Sequence, residues 1–109
     1  MSWKMVCKLP ELSDGELHEM DVDGMKILLV RTNERVFAYP PLCPHMEEPL
    51  VNGLCDGETL TCAKHLWQWS VSTGEAEGPA EKPLLMYDTK VEQEVVYIRA
   101  ETELQYDYD

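Results

Sequence analysis

The chain has 109 residues and a formal net charge of −12, with 21 acidic and 9 basic side chains. This length suits one compact domain, and a hydrophobic fraction of 44% is too high for a disordered chain. Nucleic-acid phosphates and anionic membranes would repel so acidic a protein, so neither is an expected partner. The same charge would steer the protein toward a basic patch on a protein partner, or it could serve solubility alone.

The compartment is inferred from apolar runs and cysteines. The chain has no apolar run near the about 20 residues that span a bilayer, and its start lacks the apolar core of a signal peptide. We therefore expect a cytoplasmic monomer with no membrane association. In a reducing compartment the four cysteines, at positions 7, 43, 55 and 62, are interpreted as metal ligands or buried thiols rather than as disulfides.

Short β-rich runs predict an all-β chain. The predicted strands, in chain order, are residues 4–7, 17–22, 25–31, 36–39, 59–62, 84–88 and 95–99. Asp23-Gly24 is a strong hairpin signal, and residues 32–35 indicate a second hairpin. The best helical candidate is a single turn at residues 10–12, because no stretch keeps a 3.6-residue apolar period over three turns.

The middle of the chain, about residues 40–83, differs from both flanks. It is rich in Gly and Pro and holds three of the four Cys, two of the three His and two of the three Trp. Long connections of this kind are usually functional or metal-organised. We predict one domain, residues 1–109, in which the flanks form an antiparallel β-sandwich framework and the middle forms an inserted ligand-binding subdomain. The acidic tail, about residues 101–109, is expected to fray, with docking to a partner as the alternative.

Two Cys/His pairs stand out in this middle segment. Cys43 is followed by His45, and after sixteen further residues Cys62 is followed by His65. Each pair offers one thiolate and one imidazole from a short loop. Two thiolates and two imidazoles can hold a [2Fe–2S] centre in which the imidazoles share one iron. In that arrangement Cys43 and Cys62 would bind the inner iron, and His45 and His65 the outer iron nearer solvent.

The charge of such a centre suits a one-electron carrier. Two ferric ions and two sulfides sum to +2, and two thiolates bring the oxidised centre to zero. Four thiolates would bring it to −2, so neutral imidazole ligands favour reduction.

Alternative hypotheses for the two Cys/His pairs stay open at this point. A structural zinc site can use two Cys and two His, although zinc fingers usually pair Cys with Cys and His with His. A zinc-stabilised β module that binds a protein partner is therefore an alternative of a different class. A Cys/His nucleophile is disfavoured because no orienting third group or oxyanion loop can be identified. We do not expect the chain to be an enzyme on its own.

The pattern Cys-x-His, sixteen residues, Cys-x-x-His resembles the Rieske ferredoxin family. The likeness continues in Leu-Trp-Gln-Trp at residues 66–69 and in Gly-Pro-Ala at residues 78–80, which is similar to the proline loop that covers the cluster in this family. The resemblance implies the Rieske fold and one [2Fe–2S] cluster bound by Cys43, His45, Cys62 and His65. It also implies a soluble electron carrier that is not catalytic alone.

Within the family, the chain is most similar to the ferredoxin component of multicomponent toluene and toluene/o-xylene monooxygenases. That resemblance implies that electrons flow from an NADH-dependent flavin reductase to this protein and then to a diiron hydroxylase of aromatic hydrocarbon catabolism. The ferredoxin of a Rieske ring-hydroxylating dioxygenase system is the alternative.

Residues around the predicted ligands are candidates for docking and electron exit. These candidates are His45, His65, Glu47, Glu48 and Trp67. The two glutamates would supply steering charge, or else form a solvated turn. We expect Trp67 to shape the docking surface and Trp69 to pack in the core, although a spacing of two puts both on one face of a regular strand. Cys7 and Cys55 are expected to be unligated thiols.

Overall fold

The computed structural model describes residues 3–64, 66–100 and 103–106. Within these ranges the chain forms ten strands in three antiparallel sheets, with 3₁₀ turns at Leu9–Glu11 and Leu50–Asn52 and no α-helix. The all-β prediction is therefore confirmed, and the single turn predicted at residues 10–12 begins one residue earlier. No helix in the described part of the chain is long and apolar enough to cross a membrane.

The strands lie close to the predicted runs in the first half of the chain and depart from them in the second. They are β1 (Lys4–Lys8), β2 (Leu17–Val22), β3 (Met25–Thr32), β4 (Arg35–Tyr39), β5 (Leu54–Cys55), β6 (Thr59–Thr61), β7 (Gln68–Ser70), β8 (Ala76–Glu77), β9 (Asp88–Glu92) and β10 (Val95–Arg99).

Two three-stranded sheets form the framework, with strand orders β1-β10-β9 and β2-β3-β4. Alternate residues of β3 and β10 point into the layer between the sheets, where Ile27, Leu29, Val96 and Ile98 are fully buried in one apolar cluster. This packing agrees with the predicted sandwich framework. The backbone N–H of Tyr87 also donates to the Ala38 carbonyl of β4 at 2.9 Å, which joins the second half of the chain to the β2-β3-β4 sheet.

The third sheet, β5-β6-β7-β8, is built from the middle of the chain. It packs against the opposite face of β3 and β4, where Leu28 and Tyr39 join a second apolar cluster with Leu60 and Trp69. The hydroxyl of Tyr39 also donates to the carbonyl of Val71. Strand β3 is therefore buried on both faces, which explains why its centre is a continuous apolar run rather than an alternating one.

The predicted strand at residues 84–88 is wrong. Residues 84–87 form no strand, and the second partner of β10, beside β1, is β9, which starts at Asp88. The apolar residues that suggested a strand have another role, because Leu84 fills the core cluster that contains Trp69. The sequence signal for β9 is weak because the β9–β10 turn is Gln93-Glu94, which lacks the usual Gly or Asn.

The described part of the acidic tail, which was expected to fray, is hydrogen-bonded to the rest of the domain. The backbone N–H of Leu104 donates to the Tyr87 hydroxyl at 2.8 Å, and the Tyr106 hydroxyl accepts from the backbone N–H of Leu85 at 2.9 Å. Residues 103–106 are thereby attached to the segment that precedes β9. Residues 101, 102 and 107–109 of the predicted tail lie outside the described residues.

Two framework hairpins share a turn geometry but differ in sequence. Asp23 and Gly24 have φ angles of 52° and 82°, and Gln93 and Glu94 have φ angles of 49° and 63°. Positive φ at both central residues defines a type I′ turn, which favours Asn-Gly and Asp-Gly because glycine adopts this region without steric cost. The β9–β10 hairpin therefore forms with an unfavourable turn sequence.

We expect the double change Gln93→Asn and Glu94→Gly to raise the free energy of unfolding by about 1 kcal/mol, because it relieves this turn. Urea unfolding of the protein, followed by tryptophan fluorescence, measures the change. Gly24→Ala is the control and should lower the free energy of unfolding. Its Cβ would meet no atom within 4 Å, but the alanine backbone would have to adopt a φ of 82°. An unfolding midpoint that stays the same or falls in the double variant contradicts the turn assignment.

Candidate functional site

The first Cys/His pair lies in the loop that joins β4 to the 3₁₀ turn at Leu50–Asn52. The backbone N–H of Cys43 donates to the Glu48 carbonyl at 3.0 Å, and this hydrogen bond closes the base of the loop. Cys43 is fully buried, whereas His45 and Glu47 are exposed at the tip and Glu48 is half-buried. The loop therefore places its thiol in the core and its imidazole at the surface.

The second pair lies in the tight loop between β6 and β7. The backbone N–H of Cys62 donates to the Trp67 carbonyl at 2.8 Å, so the chain returns on itself within a few residues. Cys62 is 1% exposed, and Lys64 and Leu66 are exposed at the tip. His65, the predicted fourth ligand, lies outside the described residues.

The two buried cysteines belong to the same core cluster. The pKa of the Cys43 thiol is raised to about 11, chiefly by burial and also by the neighbouring Cys62 thiol, while backbone N–H groups of His45 and Met46 act in the opposite direction. The N–H of His45 lies 3.4 Å from the Cys43 Sγ. Two adjacent buried thiols ionise unfavourably when no cation is near them. A cationic metal centre would stabilise both thiolates, so the pair suits metal binding.

The described residues bring together part of the predicted ligand set. Cys43 and Cys62 meet in the core, and His45 stands above Cys43 in the same loop. Within the described ranges, which omit residue 65, no group of three or more Cys, His, Asp or Glu side chains is placed to hold a metal ion. The donor set nevertheless fits an iron–sulfur centre, because soft thiolates and imidazoles are its usual protein ligands.

A column of aromatic rings connects the surface to the core beneath the first loop. The His45 imidazole stacks on the Trp67 indole, with ring centroids 4.3 Å apart and an interplanar angle of 20°. Trp67 in turn meets Trp69 edge-on, with centroids 6.3 Å apart. The stack fixes the plane of the exposed imidazole, so the ring keeps its orientation without a contact from outside the chain.

The expectation that Trp67 shapes the docking surface does not agree with its burial. Trp67 is only 8% exposed and belongs to the core cluster, so it supports His45 from below rather than facing a partner. The prediction that Trp69 packs in the core is confirmed, because that residue is fully buried and its indole N–H donates to the Lys82 carbonyl at 2.8 Å.

The glycine- and proline-containing segment at residues 78–83 lies beside this column. The Trp69 indole holds it through Lys82, and Ala80 packs against the cluster that contains both buried cysteines. At its end, the N–H of Leu84 donates to the Gly74 carbonyl at 2.8 Å. The segment resembling the family's covering loop is thus attached next to the thiol pair.

The two remaining cysteines are free thiols in separate surroundings. Cys7 lies in the framework cluster, where burial and Glu11 raise its pKa to about 11. Cys55 is half-buried in β5, and its Sγ accepts a hydrogen bond from the backbone N–H of Gly57 at 3.4 Å. Neither thiol lies in the two loops that carry the Cys/His pairs, which are called the ligand loops below.

Sequence reasoning missed Gly53, which controls the approach of the two ligand loops. A Cβ on this residue would overlap the carbonyl oxygen of Thr61, the residue before Cys62, and would also crowd the Leu50 carbonyl at 3.2 Å. Only glycine allows this backbone approach. The available signal was weak: a glycine between the two Cys/His pairs, in a stretch where no strand was predicted.

We expect Gly53→Ala to lower the free energy of unfolding by about 1–3 kcal/mol and to reduce iron content, because the end of β6 must shift and carry Cys62 with it. Iron per chain and urea unfolding measure the two effects. Gly24→Ala is the control, since it strains a turn of the framework but touches no ligand loop. Normal iron content and stability in Gly53→Ala would show that the two segments do not approach as described.

Comparison with known proteins agrees with this site. The family model of the Rieske [2Fe-2S] domain matches residues 2–94. The methanesulfonate monooxygenase ferredoxin subunit of Methylosulfonomonas methylovora is 36% identical over 110 residues, covering 100% of this chain and 89% of the relative. The alkene monooxygenase ferredoxin component of Xanthobacter autotrophicus is 39% identical over 97 residues, covering 88% and 80%.

The fold is also shared with solved structures. The ferredoxin of carbazole 1,9a-dioxygenase from Nocardioides aromaticivorans has a TM-score of 0.81 and 29% sequence identity, over 90% of this chain and 97% of that one. The predicted Rieske fold and [2Fe–2S] cofactor are therefore confirmed, and a zinc module is no longer supported. A family model that spans most of the sequence, with relatives above 30% identity, shows that the chain belongs to the Rieske [2Fe–2S] domain family.

Proposed function

We propose that this protein is the ferredoxin component of a multicomponent oxygenase and carries single electrons to the oxygenase component. One observation carries the proposal: a buried thiol pair lies beneath an imidazole that is exposed and held in a fixed orientation. This arrangement protects a redox centre from solvent and leaves one conducting edge at the surface. Ferredoxin components 36% and 39% identical to the chain support the assignment.

We assign Cys43, His45, Cys62 and His65 as the ligands of the cluster. Burial of both thiols in one cluster supports the two cysteines, and loop geometry supports His45. His65 is assigned from its sequence spacing alone. When bound, the cluster supplies the exchangeable electron. The chain contributes backbone N–H groups that hold the Cys43 sulfur, and the Trp67 indole keeps the His45 imidazole in place.

A monooxygenase is the favoured acceptor because two relatives above 35% identity are monooxygenase ferredoxins. The more specific picture includes an NADH-dependent flavin reductase as donor, a diiron hydroxylase as acceptor and an aromatic substrate. It rests on the resemblance to toluene and toluene/o-xylene monooxygenase ferredoxins. Localisation in the cytoplasm and a monomeric state belong to the same proposal.

A second candidate is the ferredoxin of a Rieske dioxygenase. The biphenyl dioxygenase ferredoxin subunit of a Pseudomonas strain is 28% identical over 94 residues, and the carbazole dioxygenase ferredoxin shares the fold. The two candidates use the same cluster and differ in the acceptor, so only electron delivery to an acceptor distinguishes them.

The ligand assignment predicts that some cysteines and histidines are needed for iron binding and that the others are not. Replacing any assigned ligand should abolish most bound iron, because one iron of the cluster would lose one of its two protein ligands. Replacing an unassigned thiol or imidazole should leave iron content and the EPR spectrum of the reduced protein unchanged. The ligand variants are Cys43→Ser, Cys62→Ser, His45→Ala and His65→Ala, and the matched controls are Cys7→Ser, Cys55→Ser and His18→Ala.

Iron and sulfide analysis and EPR of each purified variant give the result. A His45→Ala or His65→Ala protein with full iron content and an unchanged spectrum refutes that ligand. Loss of the cluster in the Cys55→Ser control would mean that iron content reports general stability rather than ligation.

Electron delivery tests the function itself. With an NADH-dependent flavin reductase and a diiron hydroxylase, the protein should support substrate oxidation that stops when it is omitted. The 40–83 segment carries seven acidic and two basic residues, so docking should weaken with salt. We expect roughly tenfold slower transfer when ionic strength rises from about 0.05 to about 0.5 M.

The outcome separates the two candidates. Turnover with a Rieske dioxygenase but not with a diiron hydroxylase favours the second candidate. A cluster-loaded protein that the reductase reduces, but that delivers electrons to neither acceptor, contradicts both.

A further inference from the structure

Leu66 occupies an unusual position at the tip of the second ligand loop. It lies between the predicted ligand His65 and Trp67, and its side chain is 63% exposed. Its backbone has a φ of 58°, in the left-handed region. An apolar side chain therefore projects into solvent beside the proposed electron exit from a backbone conformation that side chains rarely adopt.

The other residues with positive φ make this position stand out. In the described ranges, the non-glycine residues in this region are Asp23, Asn33, Gln93, Glu94 and Leu66. The four polar ones lie in hairpin turns of the framework, where solvent suits them. Leu66 is the apolar member of the set, and it lies in a ligand loop.

Folding alone would favour glycine at this position. A side chain in the left-handed region brings its Cβ close to a carbonyl oxygen, and glycine avoids that cost. Burial normally offsets such a cost for leucine, but most of this side chain remains in solvent. The chain thus has an apolar group at a position where the backbone favours glycine, and such departures from local preference concentrate at functional sites.

We propose that Leu66 is the apolar anchor by which this protein docks to its oxygenase component, an inference that rests on the proposed function. Protein interfaces commonly centre on one apolar group that enters a pocket, surrounded by a polar rim. Leu66 supplies the centre, and the acidic 40–83 segment, with Glu47 exposed in the first ligand loop, supplies negative charge to the same subdomain. The matching surface is an apolar pocket bordered by basic side chains.

The oxygenase component, rather than the reductase, is the occupant that the observations favour. A chain of the same fold, with a TM-score of 0.81 and 25% identity over 94% of this sequence, comes from a complex of reduced oxygenase and oxidized ferredoxin in carbazole 1,9a-dioxygenase. A ferredoxin of this shape therefore forms a defined complex with an oxygenase. The position of Leu66 at the tip of the second ligand loop would bring the cluster close to such a partner.

Three substitutions separate the side chain from the backbone. Leu66→Gly removes the side chain and relieves the left-handed residue, Leu66→Ala removes most of the side chain and keeps the strain, and Leu66→Met keeps an apolar group. Leu54→Ala is the matched control, because Leu54 is 72% exposed in β5 and lies outside both ligand loops. The probe is the oxygenase component that accepts electrons from the unaltered protein.

Leu66→Gly and Leu66→Ala should each raise the KM of oxygenase turnover for this protein about tenfold. Leu66→Met and Leu54→Ala should stay within about twofold of the unaltered protein. Iron content and the EPR spectrum should not change in any variant, and the unfolding midpoint of Leu66→Gly should equal or exceed that of the unaltered protein. Reduction by the reductase is measured separately in a stopped-flow experiment.

Each outcome decides the proposal. An unchanged KM in Leu66→Gly overturns it, and so does a loss confined to the reductase reaction. Loss of iron or stability in Leu66→Gly also overturns it, because the leucine would then hold the loop. A raised KM with an intact cluster supports the anchor, whether or not the reductase reaction slows as well. If the unaltered protein supports no oxygenase at all, the proposed function itself fails.

Discussion

The shared burial of Cys43 and Cys62 is the interaction on which the rest of the site depends. Each cysteine is the point where a ligand loop enters the core, and each loop closes through that residue's own backbone N–H. Two adjacent thiolates would repel one another in an apolar core, so irons bound to them would stabilise the packing that positions them. Cluster binding and folding of the subdomain are therefore expected to be mutually dependent.

The sheet β2-β3-β4 gives this subdomain its rigid base. Its central strand uses Ile27 and Leu29 for the framework core, and Leu28 and Val30 for the core that holds the cysteines. A strand packed on both faces can shift only if both cores rearrange. The position of the loop that carries His45 therefore depends on the whole framework, although the loop itself is short and partly exposed.

Local patterns in the sequence were sufficient for the all-β class, the first hairpins and the pairing of Cys43 with Cys62, because these depend on neighbours in the chain or on ligand chemistry. Features set by distant contacts were not accessible. The burial of Trp67 follows from stacking on His45, twenty-two positions away, and the need for Gly53 follows from the Thr61 carbonyl. The strand β9 was not predicted, because the turn that follows it lacks the Gly or Asn that usually marks a hairpin.

The hydrogen bonds of two tyrosine hydroxyls limit where the C-terminal part of the chain can be shortened or fused to other sequences. Tyr87 and Tyr106 fasten residues 103–106 to the stretch that leads out of the loop beside the thiol pair. Residues 103–106 are therefore a structural strap. Shortening the chain ahead of Leu104 would remove both hydrogen bonds and release the stretch around Leu85. Affinity labels and fusion partners on the C-terminal side should leave residues 103–106 unchanged.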